Sequence, residues 1–283
     1  MNKISDSDAI SDQTRVLPQH QAALTFLGTR LSNPSLTALP WLDLACGQGQ
    51  ILALLDTIFT EQARGKIEYT GIDIEYAHTR ETERSAARLK FRSVMTRVSE
   101  LSDFNKLLDP GQTFGFITMT NTVHEISPVY LPSIFMDAIA RLSDTGTLYV
   151  YDMDRLERLE LGAVTWTRDE IRRLLHCLLD ALGAPEYRPE VGSFPHRTCK
   201  GWNVLLERQH LELSHSELIA HRDAAIENMS KEIVLILKEK RRICRNALEN
   251  LTVHGPETAN EVEDRDRLLN EFWGLERSLE RWS

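Results

Sequence analysis

The feature that most constrains the fold is a regular alternation of strand-like and helix-like segments from about residue 18 to residue 209. Short apolar runs such as WLDLA, KIEYTGIDI, FGFITMTNTV and GTLYVYDM are typical of buried strands. The stretches between them, such as AHTRETERSAARLK and TRDEIRRLLHCLLDAL, have helical spacing of apolar residues. This alternation predicts an α/β domain in which helices cover both faces of a mostly parallel sheet.

Changes in composition divide the 283 residues into three regions. Residues 1–14 are rich in Ser and Asp and predict a flexible tail. Residues 15–209 carry the alternation. Residues 210–283 contain a long stretch without Gly or Pro, a Gly-Pro stop and a second helical stretch, which predicts an α-helical hairpin.

Apolar or small residues form a seam along the first helix of this hairpin. They recur at three- and four-residue steps, at Ile226, Met229, Ile233, Ile236, Ile243 and Ala247. Such a stripe needs a partner, because long helices gain most of their stability from packing. We expect a homodimer through these helices, with Lys240 near the edge of the contact or paired with an acid such as Glu239 across the twofold axis. Alternatively, the hairpin folds over the α/β domain as a lid.

Charge and cysteine content exclude several classes of protein. The formal net charge of −9 disfavours broad binding of nucleic acid, which needs a basic face. The four cysteines are scattered without zinc-site spacing or a disulfide framework. The N-terminal residues lack the apolar core of a signal peptide, and no apolar run is long enough for a bilayer. We therefore expect a cytoplasmic protein without a membrane segment.

A glycine turn follows the first strand in the sequence DLACGQG. Small residues at Ala45, Gly47 and Gly49 would let a ligand approach the backbone beside the start of a helix. Asp43 at the strand end could receive a cationic group or order the loop. One strand later, Asp73 is placed to accept both hydroxyls of a ribose.

These two features resemble the class I S-adenosylmethionine-dependent methyltransferases, over roughly residues 15–209. The resemblance implies a Rossmann-like, seven-stranded sheet whose last strand is antiparallel, with S-adenosylmethionine as cofactor. It implies cofactor-binding roles for the residues at the first, second and fourth strand ends. These are Asp43, Ala45, Cys46, Gly47, Gly49, Asp73, Ile74 and Asn121.

The sequence departs from the family pattern at two places. Ala45 replaces the first glycine of the usual motif. The acid usually found near the adenine, after the third strand, is missing. The aligned position is Arg97, with Glu100 and Asp103 nearby.

The segment TNTVHEISP after the fourth strand carries the candidate catalytic residues. His124 could act as a general base, or it could only satisfy a backbone group. Glu125 could face the substrate, although the commoner role of an acid there is to complement the dipole of a helix N-terminus. The segment lacks the Pro-Pro-aromatic pattern of enzymes that methylate exocyclic amines or amides.

Two acids follow the fifth strand. Asp152 and Asp154 could bind substrate or a metal, but carboxylates at this spacing are more often solvated or paired with arginines. We predict no metal. The function predicted overall is methyl transfer to an unidentified acceptor, a small molecule or a protein. The alternative is a cofactor-binding scaffold or sensor that works through its C-terminal helices.

Overall fold

The computed structural model describes residues 13–156, 160–196, 199–254 and 259–282. Most of the predicted N-terminal tail therefore lies outside the described residues. Residues 13 and 14 do not belong to a tail, because the first helix begins at Gln13. The sequence placed that start near Pro18, since the residues before it lack a clear apolar stripe.

Seven strands form one sheet in the order β3-β2-β1-β4-β5-β7-β6. They are β1 (Leu39–Leu44), β2 (Ile67–Asp73), β3 (Ser93–Val98), β4 (Phe114–Thr120), β5 (Leu142–Met153), β6 (Glu190–His196) and β7 (Cys199–Glu207). Strands β1 to β5 pair in parallel, whereas β7 pairs antiparallel with both β5 and β6. The predicted fold class and the antiparallel last strand are confirmed.

Nine α-helices lie within the described residues. They are α1 (Gln13–Leu31), α2 (Leu55–Ile58), α3 (Glu61–Arg64), α4 (Tyr76–Arg88), α5 (Leu131–Ala140), α6 (Arg168–Leu182), α7 (His215–Ala220), α8 (Arg222–His254) and α9 (Ala259–Glu280). Short 3-10 helices occupy Gln50–Leu52, Leu101–Leu107 and Arg208–Leu211. None of the helices described is long and apolar enough to cross a bilayer.

Two apolar cores pack on the two faces of the sheet. One contains buried residues of α1, α4 and the segment after β1, together with Trp41, Tyr69 and Phe116 from the strands. The other contains buried residues of α5, α6 and α8. The sheet is thus the middle layer of three, and its strand ends are held rigidly where a ligand would bind.

The sequence also predicts a single helix after the glycine turn, over GQILALLDTIFTEQA (residues 49–63), and this prediction is wrong. The structure has the 3-10 helix and then α2 and α3. Phe59 and Thr60 have extended backbones, and the Thr60 side chain accepts a hydrogen bond from the Ala63 N–H, so a new helix starts there. Burial of Ile51, Leu52 and Leu55 explains why the sequence pattern looked continuous.

The C-terminal helices pack on the α/β domain of the same chain. Met229, Ile233 and Ile236 of the predicted seam are buried in the core that α5 and α6 share, whereas Ile243 is 56% exposed. Within the chain, Lys240 pairs with Glu170 of α6 at 3.1 Å. Helix α9 in turn packs on α8, where Arg241 pairs with Glu276.

Candidate functional site

A cavity of about 670 Å³ opens at the carboxyl ends of β1, β2, β3 and β4. Its walls come from residues within 45–51, 73–78, 99–102 and 120–134. Strand β1 lies between β2 and β4. The chain therefore adds β2 and β3 on one side of β1 and then β4 and β5 on the other side, so the strand order reverses at β1. Such a switch point is where open α/β sheets bind ligands, and the volume is that of a typical small-molecule site.

The two turn glycines do different work. Gly47 has a φ of +51°, and a Cβ atom added there would meet no other protein atom within 4 Å, so its open side is the cavity. Gly49 has a φ of +83°, and a Cβ atom there would lie 3.3 Å from the Thr82 hydroxyl of α4. Gly47 therefore leaves room for a ligand, and Gly49 leaves room for a helix.

Ala45 also adopts the left-handed region, with a φ of +54°. An L-residue in this conformation carries a strain of about 1 kcal/mol or more. The family glycine that Ala45 replaces would adopt it freely. The alanine keeps the same turn and lines the cavity.

Asp73 joins the glycine turn to the end of β2. One carboxylate oxygen accepts the Gly47 N–H at 2.8 Å, and the other accepts the Glu75 N–H at 2.9 Å. The ring of His78 lies 3.3 Å from that second oxygen. Because each carboxylate oxygen can accept more than one hydrogen bond, Asp73 keeps capacity for two ligand hydroxyls.

Asp43 lies beneath the cavity and does not line it. Its carboxylate accepts hydrogen bonds from the Tyr69 hydroxyl at 2.7 Å and the Thr118 hydroxyl at 2.6 Å. Burial raises the pKa of Asp43 to about 6, and the two hydrogen bonds limit the rise. Of the two roles considered for Asp43, these contacts favour ordering the strand ends over direct contact with a ligand.

Cys46 lines the cavity but is not activated. Burial, together with the nearby charges of Asp43 and Asp73, raises the pKa of its thiol far above the ordinary range. A thiol that stays protonated is a poor nucleophile. Packing in the turn is the role these surroundings support.

The segment after β3 supplies an acid to the cavity. Ser99, Glu100 and Leu101 line it, whereas Arg97 and Asp103 do not. The Ser99 N–H donates to the Asp73 carbonyl at 2.9 Å, which ties this segment to β2. An acid close to the aligned position, Glu100, therefore lies in the cavity wall.

Asn121 follows β4 in the left-handed region, with a φ of +54°. Its side-chain NH2 donates to the Gln50 side chain at 3.2 Å, while its buried Oδ1 has no hydrogen-bond partner among the described residues. A buried unpartnered acceptor is costly. Asn121 belongs to the cavity wall, but its Oδ1 is shielded from the open cavity, so a ligand would reach that atom only after the side chain turned.

His124 is buried between two carboxylates. Its ring Nδ1 lies 2.7 Å from Asp152, which also accepts the His124 backbone N–H at 2.8 Å. Its Nε2 lies 3.1 Å from Glu160. Burial alone would lower the pKa of His124, but the hydrogen bonds and charges of both acids raise it to about 10.

The imidazole of His124 is not part of the cavity wall, whereas the next residue, Glu125, is. The Glu125 carboxylate lies 3.9 Å from the His124 Nε2. Shielding from water at the cavity wall raises the pKa of Glu125, and the charge of His124 partly offsets this. Of the two candidate catalytic residues, Glu125 is the one that a bound acceptor can reach.

Comparison with models of protein families shows which family the chain belongs to. A family model described as a methyltransferase domain matches residues 18–211, which is more than half of the chain. The chain belongs to this family. Membership confirms the resemblance seen in the sequence and the methyltransferase class of enzyme. It also confirms the cofactor, since methyltransferase domains take the methyl group from S-adenosylmethionine.

Solved structures of methyltransferases are similar to this methyltransferase domain at low identity. A SAM-dependent methyltransferase from Aquifex aeolicus is 20% identical, covering 72% of this chain and 99% of that one, with a TM-score of 0.46. Magnesium protoporphyrin IX methyltransferase from Synechocystis PCC 6803, with bound SAM, is 13% identical, covering 74% and 86%, with a TM-score of 0.47. No curated protein sequence matches the chain.

Most of the predicted site residues meet at the cavity of this methyltransferase domain. Those that line it are Ala45, Cys46, Gly47, Asp73, Ile74, Asn121 and Glu125, and those that do not are Asp43, Gly49 and His124. Sequence analysis missed Gln50, His78, Ser127 and Tyr130, which also line it. The position of His78 in the first helical turn after GIDI could have indicated that it lies near the cavity. No local sequence pattern indicates this for the other three residues.

Proposed function

We propose that S-adenosylmethionine fills this cavity and that an acceptor, a small molecule or a protein side chain, enters where Ser127 and Tyr130 form its rim. The observation that carries the proposal is the convergence of Asp73, Glu100 and Asn121 on the wall of one cavity. These groups are hydrogen-bond acceptors, and the donor molecule offers ribose hydroxyls, an adenine amine and an ammonium group.

Each end of the donor has a matching group in the cavity. The ribose hydroxyls would donate to Asp73, and the adenine would lie between the apolar side chains of Ile74 and Leu101, with its amine toward Glu100. The ammonium group of the methionine portion would donate to Asn121 Oδ1 once that side chain has turned. Glu125 lines the same cavity, where it would lie near the transferred methyl group and the acceptor.

Methyl transfer is an in-line displacement at the methyl carbon. The acceptor atom forms the new bond as the bond from carbon to sulfur breaks, and the sulfonium becomes a neutral thioether. Most of the catalysis comes from orientation in a site that excludes water. Glu125 would take the proton that the acceptor loses, and its raised pKa suits that role.

The buried pair of His124 and Asp152 supports Glu125 rather than contacting the acceptor. Asp152 fixes the orientation of the imidazole through its ring and backbone contacts. The imidazole places positive charge 3.9 Å from the Glu125 carboxylate. The earlier hypothesis of His124 as the base thus becomes a positioning role for His124 and a catalytic role for Glu125.

The test uses the full chain and S-adenosylmethionine labelled in its methyl group, with panels of small molecules and of proteins as acceptors. Glu125→Gln should lower turnover by roughly a hundredfold or more, while calorimetry shows unchanged donor affinity. The matched control is Glu83→Gln on the exposed face of α4, which should leave both quantities unchanged. Equal turnover in the Glu125 variant would remove Glu125 from the mechanism.

A scaffold or sensor without transferase activity is the competing function, and the same assay distinguishes it. That function predicts donor binding at the cavity with no labelled product from any acceptor in either panel. Labelled product from the wild-type chain, lost together with donor binding in a Gly47→Val variant, would exclude the scaffold.

A further inference from the structure

We propose that His124, Glu125 and Glu160 form a binding site for one divalent metal cation at the inner wall of the methyl-donor cavity. One ligand atom from each residue, the imidazole Nε2 and a carboxylate oxygen from each acid, lies within 4.8 Å of the other two. The site is separate from Asp152 and Asp154, the pair in which the sequence suggested a metal as one alternative.

The distances suit a metal ion. Nε2 lies 3.1 Å from Glu160 and 3.9 Å from Glu125. Two ligands held at metal–ligand distances of about 2.0–2.2 Å in tetrahedral geometry stand about 3.3–3.6 Å apart. Small rotations of the two glutamate side chains, which are 45% and 62% exposed, would bring all three atoms to that spacing.

The surroundings orient the histidine as a metal ligand. Asp152 is 1% exposed and holds the Nδ1 side of the ring at 2.7 Å, which directs Nε2 toward the two glutamates. A carboxylate on the far nitrogen of a ligating histidine is the usual outer partner in metal sites. The cation would replace the proton that otherwise bridges Nε2 and Glu160.

The local charge also favours a cation. Three carboxylates, those of Asp152, Glu125 and Glu160, surround one imidazole. Within the described part of the chain, no lysine or arginine forms an ion pair with any of the three. Even a protonated His124 leaves three carboxylates against one imidazolium, although Arg155, Lys240 and Arg267 line the cavity that Glu160 also lines.

The backbone around Glu160 is anchored to the histidine segment. The Val164 N–H donates to the His124 carbonyl at 2.9 Å, and the Ala163 N–H donates to the Glu160 carbonyl at 3.2 Å. Gly162 turns the chain between them with a φ of +86°. These bonds hold Glu160 opposite His124, so the three ligands do not depend on a chance approach of a free loop.

The cation would lie in the wall between two cavities. Glu125 lines the methyl-donor cavity, and Glu160 lines a second cavity of about 300 Å³ against α8 and α9. One nitrogen and two carboxylate oxygens suit Mn²⁺, Fe²⁺ or Zn²⁺. A role in catalysis rests on the proposed function: in the metal-bound chain the ion, rather than a free Glu125 carboxylate beside a charged imidazole, would bind an acceptor oxygen and make its proton easier to remove.

The experiment measures binding of Mn²⁺ alone to the metal-free full chain, by calorimetry and by the loss of the free-ion electron paramagnetic resonance signal. We expect one Mn²⁺ per chain in the wild type. Glu160→Gln and Glu125→Gln should each weaken binding at least tenfold, with thermal unfolding checked for both. The matched control is Glu207→Gln, because Glu207 pairs with His210 at 3.8 Å without a second acid.

The proposal would be overturned if the wild type bound no Mn²⁺ up to about 1 mM. It would also be overturned if both glutamine variants bound Mn²⁺ with the affinity of the wild type. Either result would mean that His124 is a protonated histidine between two acids. The assay contains no methyl donor, so its outcome is independent of whether the chain transfers a methyl group.

Discussion

At the scale of single residues, the two turn glycines give a sharp contrast. Gly47→Ala places a methyl group in the cavity, and Gly49→Ala places one against Thr82. Both need a left-handed alanine, so both should lose about 1–2 kcal/mol of unfolding free energy. Only Gly47→Ala should weaken binding of S-adenosylmethionine tenfold or more, as measured by calorimetry.

Equal loss of donor affinity in the two glycine variants would contradict this division of roles. It would mean that the shape of the turn, rather than the space beside Gly47, decides binding. Thermal unfolding of each variant without donor provides the stability reference.

Asp43 predicts a specific dependence of stability on pH. Its pKa is about 6 in the folded chain, against an ordinary value of 3.8. The folded chain therefore binds this proton more tightly between pH 4 and pH 6. Its contribution to stability is present below about pH 4 and is lost as the pH rises through 6, by up to about 3 kcal/mol.

Asp43→Asn removes that titration. The unfolding free energy of the variant minus that of the wild type should increase by about 2–3 kcal/mol from pH 4 to pH 7, in denaturant titrations without donor. The difference between the two chains cancels most other titrating groups. A difference that stays constant with pH would show that Asp43 has an ordinary pKa.

At this scale the sequence predicted residue types better than their positions. The acid-glycine motif drew attention to Gly47 and Asp73, which both line the cavity, because backbone conformation and strand ends are local properties. It could not distinguish the role of Gly47 from that of Gly49, since the role of Gly49 depends on its contact with α4, which is distant in sequence. Glu100 was set aside as merely near the aligned position, although the segment after β3 brings it to the cavity.

At the scale of elements, the packing of α8 on the α/β domain makes a testable difference between two faces of one helix. Met229 is fully buried against the domain, and Leu235 is 58% exposed. Met229→Ala should lower the unfolding free energy by about 2–5 kcal/mol through the cavity it leaves. Leu235→Ala should change it by less than about 0.5 kcal/mol.

Chemical denaturation of the two variants measures this directly. Equal stability of both would show that α8 does not share the core of the domain. A large loss in the Leu235 variant would instead indicate that the exposed face of α8 is covered in solution.

Element boundaries followed from the sequence where a local signal marks them. The spacing of Thr167 and Glu170 in TRDE predicts a capping box, and that capping box is present at the start of α6. The break at Phe59 and Thr60 was missed because the apolar spacing continues across it. The partner of the α8 seam could not be read from the sequence either, since a seam shows that a helix packs and not what it packs on.

At the scale of the whole molecule, the homodimer stays a prediction. Much of the seam on which it was based is buried within the chain. Other apolar residues of α8 and α9 remain exposed, namely Leu235, Ile243, Leu269 and Trp273. If they form the contact, the intact chain should sediment as a dimer at micromolar concentration, and a monomer there would contradict the prediction.

The sheet order was predictable because one resemblance, carried by two strand ends, implied the whole topology. The acceptor was not, because acceptor pockets in this fold are assembled from loops and added segments rather than from the sheet. A fold of this kind does not determine the substrate.

The central claim is that the cavity at the strand ends binds S-adenosylmethionine through Asp73, and calorimetry tests it most directly. The wild type should bind one donor molecule per chain. Asp73→Ala should bind about 10- to 150-fold more weakly, from the loss of about 1.5–3 kcal/mol of hydrogen bonding to a charged group. The control Asp103→Ala, outside the cavity wall, should match the wild type. Wild-type affinity in Asp73→Ala, or no binding by the wild type, would contradict the account.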